Sequence, residues 1–93
     1  MIKVLLERTI KGKNVGEIVR LLRMLRVKAM LQPGYISGET LHAVDDPNSY
    51  LVISTWETLK DWQAWLNNPE RREIQAELDK IQEVPMTVRI FTY

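Results

Sequence analysis

Tyr35-Ile36-Ser37-Gly38-Glu39-Thr40-Leu41-His42-Ala43-Val44, then Asp45-Asp46-Pro47-Asn48, then Tyr50-Leu51-Val52-Ile53-Ser54-Thr55-Trp56, is the stretch that decides the fold. Two runs rich in β-branched and aromatic residues flank a cluster of turn formers, which predicts a central β-hairpin. Just upstream, Gln32-Pro33-Gly34 is a stop signal, because proline disfavours helical geometry in the residue before it and glycine permits the turn. Before that stop, Val15, Ile18, Leu22, Leu25 and Ala29 recur at spacings of three and four behind Asn14, a suitable N-cap with Glu17 three residues on. The spacing predicts an amphipathic helix ending near Leu31. Earlier still, beyond Lys11-Gly12-Lys13, Ile2, Val4, Leu6, Arg8 and Ile10 alternate with Lys3, Leu5, Glu7 and Thr9 in the period of a strand.

On the C-terminal side of the hairpin, Thr58 is a good N-cap with Asp61 in the first turn, and Leu59, Trp62, Trp65 and Leu66 make a short helical stripe ending near Asn67-Asn68-Pro69. A second helix starts with Pro69 at its first position, where the missing N–H costs nothing, and carries Ile74, Leu78 and Ile81. Val84-Pro85 breaks it, and Met86 to Phe91 alternates as a last strand. The order βαββαβ, with the second helical segment in two pieces, predicts an α+β, ferredoxin-like four-stranded antiparallel sheet with helices on one face. The helices are expected to cover Ile2, Val4 and Leu6 together with Met86, Val88 and Ile90. The other face then carries Leu5, Phe91 and Tyr93 beside Glu7, Thr9 and Arg89, an apolar surface that calls for a partner.

Composition agrees with one folded domain over residues 1–93: the chain is 45% hydrophobic and 27% charged. Thirteen basic against twelve acidic side chains give a net charge of +1, so neither nucleic acid nor an anionic membrane is expected as a partner. No cysteine is present, which removes disulfides, thiolate metal sites and cysteine nucleophiles and fits a reducing compartment. The first apolar run, Val4 to Leu6, is bracketed by Lys3 and Glu7, and no stretch approaches the roughly 18 apolar residues of a membrane span. A cytoplasmic location is expected. A domain this small hides only about 60% of its unfolded surface by itself, which favours oligomerisation.

The segments Pro33 to Leu41, Asp45 to Glu57, Trp62-Gln63-Ala64-Trp65-Leu66 and Pro69-Glu70-Arg71-Arg72, in this order, resemble the antibiotic biosynthesis monooxygenase family over nearly the whole chain. The resemblance implies a dimeric α+β barrel, in which two ferredoxin-like subunits pack their sheet faces together and each holds a pocket between sheet and helices. It further implies oxidation of a small aromatic phenol or quinol by molecular oxygen, with no protein-bound cofactor and no metal. Some members instead degrade haem, using a first-strand asparagine, a tryptophan after strand three and a haem-ligating histidine about three turns further on. Trp65 matches the tryptophan, but the other two positions hold Glu7 and Gln75, and glutamine is a poor haem ligand. No G-x-G-x-x-G or phosphate-binding loop is present, and one histidine cannot build an imidazole metal cage.

The candidate site residues are His42 and Glu7 for catalysis, and Trp65, Trp56 and Arg89 for substrate binding. His42 is the only imidazole, with an unperturbed pKa of about 6.5 that suits a base near neutrality, although a partly exposed strand histidine is the plainer reading. Trp56, Trp62 and Trp65 offer walls for a planar ligand, or ordinary core packing. Glu7 and Arg89 are expected to face each other across paired strands of the open sheet face, as proton acceptor and anion holder or as an interface ion pair. Tyr35, Tyr50 and Tyr93 are possible hydrogen-bond donors to a quinone or phenol oxygen. Arg20, Arg23 and Arg26 with Lys28 read as a solvated helix face in preference to an anion stripe. Residues 1–44 carry 8 − 3 = +5 and the rest 5 − 9 = −4, an asymmetry able to steer contacts. The strand Leu51 to Trp56 lacks the basic-aromatic signature of RNA-binding sheets. The resulting expectation is a homodimeric cofactor-independent monooxygenase. Its alternative is a non-catalytic dimeric domain that binds a small ligand or stabilises an assembly.

Overall fold

A computed structural model describes residues 1–10, 14–82 and 86–93. The chain runs β1 (Ile2–Thr9), α1 (Val15–Met30), β2 (Tyr35–His42), β3 (Ser49–Trp56), α2 (Leu59–Leu66), α3 (Pro69–Ile81) and β4 (Thr87–Thr92). The strands form one sheet in the order β2-β3-β1-β4 with every neighbouring pair antiparallel. This is the ferredoxin-like arrangement expected from the element order. The Lys11-Gly12-Lys13 connection and the Val84-Pro85 break lie outside the described residues.

Local chemistry sets the element ends. Gly34 closes the turn after α1 with φ +84°, a left-handed conformation that L side chains rarely adopt. Asn14 precedes α1 as expected, but its side chain makes no capping bond; its carbonyl accepts the Ile18 N–H at 2.9 Å. Thr58 caps α2 by accepting the Asp61 N–H at 3.1 Å, and Asn68 caps α3 by accepting the Glu70 and Arg71 N–H groups. In the hairpin turn the Asp46 carboxylate accepts the Asn48 N–H at 3.1 Å, and the Asp46 carbonyl accepts the Ser49 N–H at 2.9 Å.

Ile2 and Val4 of β1, Ile18, Leu21 and Leu25 of α1, Trp56, Trp62 and Trp65, and Ile74 and Leu78 of α3 form the core. Leu21 stands outside the expected α1 stripe yet is buried, whereas Val15 of that stripe is exposed. Val88 and Ile90 are opposite Leu6 and Val4 and therefore point to the helix side, as expected, but they remain 39% and 45% exposed. The helices do not cover them, because α3 packs against α1 and α2 and leaves the β4 edge uncovered.

One irregularity changes which residues of β2 share a face. A bulge between Tyr35 and Ser37 inserts an extra residue, so Tyr35 pairs with Trp56 while Ser37 pairs with Thr55. Tyr35 is thereby brought onto the same face as Gly38, Thr40 and His42, the face turned toward the helices.

Candidate functional site

A cavity of about 560 Å³ lies between α1 and the helix-facing side of β1, β2 and β3. Strand register arranges its floor in rows. At one end Tyr35, Trp56 and Ile2 are aligned across the three strands; at the other, His42, Tyr50 and Arg8 are. The first row is aromatic: the Tyr35 and Trp56 rings meet edge to face at 5.4 Å, and Trp62 of α2 packs on Trp56 at 5.8 Å. The Trp56 indole N–H donates to the Ser54 hydroxyl at 3.0 Å, which satisfies a buried donor. Gly38 lets the Tyr35 side chain lie over the floor, since a Cβ there would come within 2.5 Å of the Tyr35 hydroxyl.

The second row is polar. Arg8 is 4% exposed, and its guanidinium donates to the side-chain carbonyls of Gln75 at 3.3 Å and Gln82 at 3.5 Å. Burial pulls its pKa below the ordinary value, against the opposing influence of Tyr50 and Asp79. Arg71, in the first turn of α3, is 5% exposed and sits over Trp62 and Trp65, 5.9 Å and 6.0 Å from their ring centres. Burial, and secondarily the neighbouring charge of Arg8, lowers its pKa to about 10. Among the described residues neither guanidinium has a carboxylate at ion-pair distance.

Tyr50 is buried beside Arg8, and its hydroxyl has no hydrogen-bond partner among the described residues. Burial pushes its pKa up to about 12, with Arg8 pulling the other way. The unfolded chain gives up this proton near 10 and the folded chain keeps it to about 12. This group's contribution to stability therefore falls as pH rises through that interval. Titration followed at the phenolate absorption band should show one of the three tyrosines resisting ionisation until about pH 12, and Tyr50→Phe should remove that late component.

The expected site residues divide between the two faces of the sheet. Trp56, Trp65 and His42 line the cavity, His42 exposed at its mouth with Nδ1 3.4 Å from the Pro47 carbonyl and its ring 5.9 Å from that of Tyr50. Glu7 and Arg89 lie on the opposite face. They are also out of direct register: Glu7 is opposite Thr87, Arg89 is opposite Leu5, and the Arg89 guanidinium stacks 4.9 Å from the Phe91 ring. The α1 arginines separate as well. Arg20 pairs with Glu17 on the solvated side, as expected, but Arg23 and Arg26 border the cavity. Arg8 and Arg71, the buried cations of the cavity, are not among the candidates that the sequence singles out. The signal was present, since Arg8 is in phase with Ile2, Val4 and Leu6, and Arg71 precedes Ile74 and Leu78 by three and seven residues. Among the described residues no three metal-ligating side chains gather into a metal site.

A four-stranded sheet with helices on one face and an aromatic-walled cavity beneath them defines a ferredoxin-like α+β domain built around a ligand-sized interior. The chain belongs to the antibiotic biosynthesis monooxygenase family, whose sequence profile matches residues 1–77. It is 24% identical over 78 residues to Protein SchA of Streptomyces halstedii, a match covering 84% of this chain and 20% of SchA. The chain thus spans about a fifth of the length of that curated relative. SnoaB, a cofactor-independent oxygenase from Streptomyces nogalater, superposes with TM-score 0.84 at 20% identity over 99% of this chain and 91% of its own. A conserved protein from Methanosarcina mazei superposes with TM-score 0.86 at 17% identity over 97% and 89%. Among the described residues no helix is long and apolar enough to cross a membrane.

Proposed function

We propose that the protein is a cofactor-independent monooxygenase of small aromatic phenols or quinols, acting in the cavity between α1 and the sheet. The observation that carries this reading is the cavity itself: about 560 Å³, walled by Trp56, Trp62 and Trp65 and open at the β2 edge beside the only imidazole. A planar ring seated against the tryptophans presents its hydroxyl toward the polar row. With Nδ1–H of His42 donating to the Pro47 carbonyl, Nε2 keeps a lone pair and accepts the phenolic proton. The phenolate passes one electron to dioxygen, the resulting superoxide and ring radical combine at carbon, and loss of water leaves a carbonyl. For an anthrone the CH₂ becomes C=O while one O₂ is consumed and one water released, so the substrate supplies every electron.

We also propose that the active form is a homodimer joined through the open sheet face, where Leu5, Leu41, Leu51, Ile53 and Phe91 lie with Glu7 and Arg89 among them. The cytoplasm is the compartment proposed for it. Oxygen uptake with a panel of anthrones and quinols, in buffer without added cofactor, tests the reaction. One O₂ consumed per quinone formed is the expected result, and His42→Ala should slow uptake by about 10²-fold, the contribution of a positioned base. Ligand binding without uptake across the panel would overturn the enzyme reading in favour of a ligand-binding or scaffold domain.

A further inference from the structure

The inner end of the cavity holds two guanidiniums and a phenol hydroxyl whose hydrogen-bonding capacity the described residues do not use up. Among the described residues Arg8 is bonded to two neutral amide oxygens, Arg71 lies over tryptophan rings without a side-chain hydrogen bond, and the Tyr50 hydroxyl has no partner. All three are buried and line the same cavity. A buried charge without a counter-charge is costly, and a buried unsatisfied hydroxyl adds to that cost. The charged groups described around them offset the pair only in part. Asp79 is exposed and accepts a hydrogen bond from the Gln75 amide at 2.9 Å; its charge acts on Arg8 and Arg71 through space but forms no ion pair with either. Arg23 and Arg26 add further positive charge at the border, and Glu39 is the single carboxylate among the described lining residues.

The geometry points to an anion subsite formed by Arg8, Arg71 and Tyr50, which takes the carboxylate of a planar aromatic ligand whose rings lie against Trp65 and Trp62. The fork of a guanidinium matches the two oxygens of a carboxylate, and a charge-assisted bond in a desolvated site is about twice as strong as a neutral one. Tyr50, a phenol and so protonated at neutral pH, is a donor there; the three groups all give hydrogen bonds and an acceptor-only group completes them. The apolar remainder of the cavity excludes a bare inorganic anion as its natural occupant, since the tryptophan wall would then face water. The inference rests on the aromatic-cavity reading above but not on turnover.

The test is equilibrium binding at pH 7, followed by quenching of tryptophan fluorescence, of anthraquinone-2-carboxylate against anthraquinone-2-carboxamide. These probes differ in charge at one substituent and consume no oxygen. The carboxylate should bind at least about tenfold more tightly than the carboxamide. Arg71→Gln should reduce that preference to within about twofold while changing carboxamide affinity less than about threefold. Tyr50→Phe should remove part of the preference, and Arg20→Gln, on the solvated face, none of it. Equal affinity of the wild-type protein for both probes overturns the subsite and leaves the aromatic cavity standing; absence of binding by either overturns both. A preference lost equally in Arg20→Gln would assign it to net charge and also overturn the subsite. The wild-type contrast needs no variant, so a failure of Arg71→Gln to fold does not shield the inference.

Discussion

Trp56→Ala should lower the free energy of unfolding by about 3–5 kcal/mol, read as a shift of the urea midpoint without a change of slope. Trp56 is 1% exposed and joins the sheet to both α2 and the β2 edge, through Trp62 on one side and Tyr35 on the other. Its removal leaves a void that these neighbours cannot collapse into and orphans the Ser54 hydroxyl that its N–H now engages. For a chain of this length, total stability of about 5–14 kcal/mol is typical, so the loss consumes a large share of it. Trp56→Phe, which keeps the ring contacts and loses the N–H, should retain most of the stability. A loss below about 1 kcal/mol for the alanine variant would mean that the aromatic row is a cavity wall and not a structural bridge.

Ile53→Glu should halve the particle mass. Ile53 is directly opposite Leu5 on the open face, one position from the Leu41 and Leu51 pair along the same face, and these side chains form the centre of the proposed dimer contact. In a two-fold interface one substitution places two like charges in a desolvated centre, which costs several kcal/mol. Multi-angle light scattering at micromolar concentration should give twice 10.9 kDa for the wild type and 10.9 kDa for the variant. A wild-type protein already at 10.9 kDa would remove the dimer from the proposal.

Element order was legible because each boundary is written in local chemistry: Pro33-Gly34, the Asp46 turn, Thr58, and Asn68 with Pro69 all act within a few residues of themselves. What the sequence concealed depends on pairing between distant segments. The bulge at Ile36 shifts the phase of β2 and moves Tyr35 onto the cavity face, a change that no alternation count on β2 reveals. The register of β1 with β4 decides that Glu7 and Arg89 are diagonal instead of opposed. Trp56, Trp65 and His42 of the cavity stand out in the sequence by residue type. Arg8 and Arg71 do not, because a lone arginine in an apolar stripe looks like an exception until the tertiary structure shows it buried beside another.

The two ends of the cavity differ in how freely they can change over evolutionary time. Gly38, Thr40 and His42 at the mouth belong to β2, an edge strand with no residue in the buried core, whereas Arg8, Tyr50, Trp65 and Arg71 are buried among the elements that hold the fold together. Substitution of Thr40 or His42 at the mouth therefore alters the entrance with little loss of stability, and substitution at the inner end tests the fold itself. The shape of the entrance can therefore drift along one strand, while the inner end stays constrained by the need to remain folded.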